Sequence, residues 1–208
     1  MKTAALLLMI LVAPGSLQAG KEPKPPQDVP PVGKGKILLY EDFETTATGQ
    51  IPKGYQKQGE IAVVEDVAHS GRRSLRVEAA VNGPRRITVK GDAVTALGGQ
   101  HWGRLFFRVQ QPSTTPANGV IHSTLVSGTA KSPLPSKDEI EVRPLDTVMN
   151  NKGDYQYIYN VQPRGRAEFG KGSSYKYRFT DQWTLAEWYV DHATQTYRLF
   201  INGEEIKD

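Results

Sequence analysis

The sequence contains no cysteine. That excludes disulfide staples, thiol nucleophiles and cysteine-ligated zinc, so stability falls to the core and to any cation held by oxygen ligands. Long helical patterns are also missing. Few stretches place apolar residues three and four apart, while 20 glycines and 14 prolines punctuate the chain. A concentrated basic stripe is lacking as well. The formal net charge is +4 over 208 residues, with basic residues scattered in short pairs such as Arg72-Arg73 and Arg85-Arg86. Such a distribution argues against nucleic acid as a partner and permits only weak attraction to acidic polymers. No phosphate-binding glycine loop and no serine nucleophile elbow occur.

What is present begins with a leader-like segment. Lys2 precedes an apolar run from Ala4 to Val12, and Ser16-Leu17-Gln18-Ala19 offers a small residue at a cleavage point. Residues 1–19 therefore read as a secretory signal peptide, too short to span a membrane as an ordinary helix. The following "GKEPKPPQDVPPVGKGK", residues 20–36, reads as a proline-rich disordered linker. Residues 37–208 remain for one folded domain, which a single core can serve. The expectation is a secreted or periplasmic monomer with no membrane contact after cleavage.

Short alternating runs recur at fairly even spacing through that domain. They cover 36–44, 60–66, 74–80, 85–91, 101–109, 119–128, 138–145 and 153–163, followed by the two arms of "WTLAEWYVDHATQTYRLFINGEEI". Asn202-Gly203 closes the last arm with residues that tolerate the positive φ of a tight hairpin turn. About ten strands call for two packed sheets, so the expected fold is an all-β, two-sheet antiparallel jelly-roll sandwich. One helical turn is expected near 93–97. The chain stops at Asp208, just past the hairpin turn, which gives the expectation that closing strands are missing.

In order, "YEDFE", "AHSGRRSLRV", "HWGRLFFRV" and the tryptophan-rich final arm resemble a family of secreted concanavalin A-like jelly-roll proteins. Its best-described members are fungal proteins induced with cellulases, some similar to glucuronan lyases, and bacterial relatives exist. The resemblance implies two antiparallel sheets, a concave saccharide-binding face and a structural Ca2+. Glu44 and Ser70 match two of the family's calcium positions, and the third would lie beyond Asp208. Carboxylate, hydroxyl and carbonyl oxygens suit that cation.

A lyase acting on a uronate polymer must neutralise the carboxylate, remove the α-proton and protonate the leaving oxygen. Neighbouring expected strands carry such groups. His122 lies in "VIHSTLV". Glu139, Glu141 and Arg143 share one face of "EIEVRP". In "DYQYIYNVQ", Tyr155, Tyr157 and Tyr159 share one face, and Gln156, Asn160 and Gln162 the other. The catalytic candidates are His122, Arg143, Tyr157 and Gln156. The substrate-binding candidates are Glu141, Tyr155, Tyr159, Asn160 and Trp183. Trp102 and Trp188 read as core residues. The expected function is β-elimination on an acidic polysaccharide. The alternative is a non-catalytic carbohydrate-binding module. A hydrolase ranks lower, because the carboxylate spacing of jelly-roll glucanases is absent from "DEIEVRPLD".

Overall fold

The structure is a computed structural model that describes residues 4–7, 35–79, 83–131, 139–163, 165 and 167–207. Apart from 4–7, the expected leader lies outside the described residues, as does the linker up to residue 34. Among the described residues, no helix is long and apolar enough to cross a membrane.

Thirteen strands, β1 to β13, and one helical turn form the described elements. The central strands keep apolar side chains on one face by simple alternation. In β6 (Gln100–Arg108), Leu105 and Phe107 face inward, and in β11 (Thr184–Asp191) Ala186, Trp188 and Val190 do so. The strands β12 (Thr196–Ile201) and β13 (Glu204–Glu205) extend this sheet on one side. On the other side come β1 (Ala4–Leu7), β4 (Ser74–Val77) and β3 (Ile61–Val64), giving the order β13-β12-β11-β6-β1-β4-β3. The segment read as part of a leader thus supplies the strand between β4 and β6.

The second sheet is an antiparallel meander of β7 (Val120–Lys131), β8 (Glu139–Asn150), β9 (Tyr155–Pro163) and β10 (Phe169–Gly172). A small ribbon pairs β2 (Tyr55–Gln58) with β5 (Arg86–Val89). The helical turn α1 occupies Asp92–Thr95. The two large sheets form a sandwich. Leu105, Phe107, Trp188 and Leu199 share one buried cluster with Leu145, Met149, Tyr155 and Tyr157. Each large side chain so buried contributes roughly 1.5–3 kcal/mol relative to exposure. Asn202 and Gly203 turn the last hairpin with φ of 51° and 84°, as their residue types demand.

Two expectations fail for physical reasons. Residues 36–44 do not form a regular strand. The Glu41 and Asp42 carboxylates accept the backbone N–H groups of Phe43 and Glu44, and Phe43 adopts φ 66° while its ring is fully buried. Local side-chain bonds here outcompete a ladder. Trp102, expected in the core, points outward and is 52% exposed. Its neighbour explains the parity. Gly103 faces inward so that the Trp188 indole can lie against its backbone, where a Cβ would meet the ring at 2.0 Å.

Gly103→Ala is therefore expected to destabilise the fold by about 1–3 kcal/mol or more through overpacking, read as a lowered denaturation midpoint. His101 gives a pH dependence. Burial, then His192, holds its imidazole below the ordinary value. The unfolded chain binds that proton more readily, so stability is full above about pH 6.5 and is lost as pH falls below it. His101→Gln is expected to flatten the drop in melting temperature between neutral and mildly acidic buffer.

Candidate functional site

The outward face of the β7–β10 meander carries most of the expected chemistry. Strand register arranges it in rows. His122, Val148 and Gln156 form the first, and Thr124, Asp146, Ile158 and Gly172 the second. Arg143, Asn160 and Gly170 form the third, and Thr129, Glu141 and Gln162 the fourth. Glycine on β10 keeps this side low. A Cβ at Gly172 would meet the Gln156 side chain at 2.7 Å, and one at Gly170 would meet Ile158 at 2.8 Å.

Arg143 and Asp146 stand three residues apart and would face opposite ways in a regular strand. Here β8 carries an extra residue opposite β9 between them, a bulge that turns both to the same face. The result is a linked set of polar groups. Asp146 is fully buried. Its Oδ1 accepts from Thr124 Oγ1 at 3.1 Å and from the Thr147 N–H at 2.9 Å. Its Oδ2 lies 3.5 Å from His122 Nδ1 and 3.6 Å from Arg143 Nη1. Arg143 also meets Glu141 at 3.2 Å and donates to Gln162 Oε1 at 3.0 Å. Burial disfavours the charged guanidinium, but Glu141 and Asp146 outweigh it and raise its pKa. The Asn160 carboxamide is wholly buried, and neither of its polar atoms has a partner among the described residues. Such a group needs a water or a ligand atom.

His122 is the exposed end of this chain of contacts, with 38% of its side chain accessible. A carboxylate at Nδ1 favours the proton there and leaves Nε2 as the basic nitrogen. A buried acid, an oriented imidazole and an adjacent guanidinium can together abstract a proton next to a carboxylate.

The structure thus brings together His122, Arg143, Glu141, Gln156 and Asn160. It does not bring the tyrosines. Tyr155 and Tyr157 face the core, where their hydroxyls share a 2.9 Å hydrogen bond. Burial pushes Tyr155 up to about 12 and Tyr157 higher still. Neither can act as base or donor on the outer face. Tyr159 also points inward, against Tyr197 of the opposite sheet at 4.6 Å. The phenol that does approach the site is Tyr175, exposed, with its hydroxyl accepting from Gln156 Nε2 at 3.2 Å. Trp183 immediately precedes β11 of the other sheet and lies edge-on to His69, which stacks on Phe106. It is no part of the His122 face. Hollows lined by Glu65, Asp66, Gly71 and Arg72, and by Asp66, Arg76 and Arg108, also lie elsewhere. Their carboxylates Glu65 and Asp66 are paired with Arg73 and Arg76.

The Glu44 carboxylate and carbonyl, expected at a calcium position with Ser70, are engaged by the backbone and side chain of the 72–73 segment. Glu44 Oε1 accepts the N–H groups of Arg72 and Arg73 at 2.9 and 2.8 Å, and Arg73 Nη1 donates to the Glu44 carbonyl at 2.7 Å. The Glu44 carbonyl thus already accepts a guanidinium. Among the described residues no group of three or more metal-ligating side chains occurs. Gly71 permits the tie, with φ 62° and no room for a Cβ beside the Glu44 carboxylate. The carboxylate fastens loop to loop directly. Glu44→Ala is expected to cost about 1–3 kcal/mol, because two amides lose a charged acceptor. The wild-type melting temperature is expected to be equal in calcium and in chelator, and a rise of several degrees with calcium would restore the ion.

Compared with known proteins, the chain matches no family model, no curated protein and no solved structure.

Proposed function

We propose that the chain cleaves a uronate-containing polysaccharide by β-elimination. The observation that carries this reading is the cluster in which buried Asp146 holds both His122 and Arg143 on one open face. His122 takes the proton from the carbon bearing the carboxylate. The electrons form a carbon–carbon double bond as the bond to the neighbouring glycosidic oxygen breaks. Tyr175, the accessible phenol beside Gln156, donates the proton that this oxygen needs. Arg143 steadies the negative charge that develops on the carboxylate.

A second reading has its own observation. Arg143 already meets Glu141, Asp146 and Gln162, so its charge is largely engaged. A face of that kind also suits a non-catalytic carbohydrate-binding module.

The two separate in one assay. The purified protein is incubated with glucuronan, alginate and pectate, and ultraviolet absorbance follows the unsaturated uronate ends. Absorbance is expected to rise on one polymer. His122→Ala is expected to lower the rate by about 10²–10⁴-fold, as loss of a general base does. Asp146→Asn is expected to lower it as well, whereas Tyr157→Phe leaves it unchanged. A folded protein that binds a polymer without any rise would establish the binding module instead.

A further inference from the structure

The opposite face of the sandwich carries an aromatic patch that this chemistry does not use. It stands on the three adjacent strands β6, β11 and β12, in the body of the sheet rather than at its edge. Trp102 lies beside Tyr189 in register, with ring centroids 5.1 Å apart, and 5.8 Å from the Phe200 ring. The rings are tilted by 39° and 32°, and Trp102 stays 52% exposed. A tryptophan left this open on a central strand forgoes most of the burial that its size offers.

The polar neighbours are held in place by one another. Gln100 Nε2 donates to the Tyr189 hydroxyl at 2.6 Å. Arg198 lies over the Phe200 ring at 4.9 Å and pairs with Glu205 at 2.6 Å. Arg104 faces Glu187 at 3.5 Å. Asp191 accepts the Ala193 and Thr194 amides. Arg104, Arg198 and Lys207 therefore balance Glu187, Glu205 and Asp191 around the patch. That balance gives no net attraction for acidic polymers, nucleic acid or anionic lipid. It suits a ligand with no charge, an apolar face and a rim of hydroxyls.

The geometry points to a binding platform for a neutral pyranose chain. One sugar ring stacks its C–H face on Trp102, and the amide, carboxylate and guanidinium groups beside it take the hydroxyls. The platform is independent of the His122 face and stands whether or not that face is catalytic. Its role would be to hold the protein on a neutral glycan while the other side works.

The test uses the full chain, with tryptophan fluorescence and acrylamide quenching during titration with cellohexaose, laminarihexaose, mannohexaose and xylohexaose. One of them is expected to shift the emission and protect a tryptophan from quencher. Trp102→Ala is expected to weaken that binding at least about tenfold, with Tyr189→Ala as a second, milder variant. His122→Ala is expected to bind as the wild type does, which separates this site from the proposed catalytic one. Both variants are checked for an unchanged melting temperature. Should Trp102→Ala fail to fold, quencher protection in the wild type and the loss in Tyr189→Ala still decide. No protection by any of the four sugars would overturn the platform. So would binding that survives in Trp102→Ala, or concentration-dependent self-association that buries Trp102, which would make the patch an interface between copies.

Discussion

The bulge at Pro144 and Leu145 in β8 is the feature on which the candidate site depends. Without it Arg143 and Asp146 would face opposite sides of the sheet. With it a buried carboxylate touches both a histidine and an arginine. The bulge is pinned from within. The Tyr197 hydroxyl of the opposite sheet donates to the Pro144 carbonyl at 2.5 Å, and Tyr159 packs on Tyr197 from the next strand. Proline also fits, because it lacks the N–H that a regular ladder would demand. Tyr159 and Tyr197, both turned inward, hold the irregularity that brings Arg143 and Asp146 to one face.

Trp188 sets the second constraint. Its indole fills the centre of the sandwich only because Gly103, directly paired with it on β6, has no side chain. That inward glycine fixes the strand's parity, so Trp102 must point out. One packing decision in the core thus creates both the stable layer and the exposed aromatic patch on its back.

Much of this was legible in the sequence, and the failures share a cause. Alternation marked the strands that became β3 to β9, β11 and β12, because half-buried strands leave a period of two. It also separated Gln156, Asn160 and Gln162 from the tyrosine row, though not which row faced out. Asp146 escaped notice. It lies past the end expected for its strand, at an odd spacing from Arg143, and regular alternation sends it to the core. Pro144 inside a strand pattern was the available signal of a bulge. Residues 36–44 misled for a related reason, since "YEDFE" alternates well while its own carboxylates capture the backbone. The short β2 and β10 were missed because "YQKQ" and "FGKG" have too little apolar content to show a period. Trp102 was assigned by its apolar company, and only the pairing of Gly103 with Trp188 shows otherwise.

The Asp146 cluster is a poor way to stabilise a sandwich. Taking a carboxylate wholly out of water costs several kcal/mol, which hydrogen bonds from Thr124 and Thr147 and the His122 and Arg143 side chains at 3.5 and 3.6 Å have to offset. An apolar residue of similar volume would serve a purely structural strand as well or better. The neighbouring Asn160, with its amide buried and unpartnered, adds a second cost of the same kind. Both costs fall on one face, next to the exposed histidine, while the inner face of the same strands is packed with Leu145, Met149 and Tyr155. The two faces of the meander thus follow different rules, with apolar packing inside and linked polar groups outside.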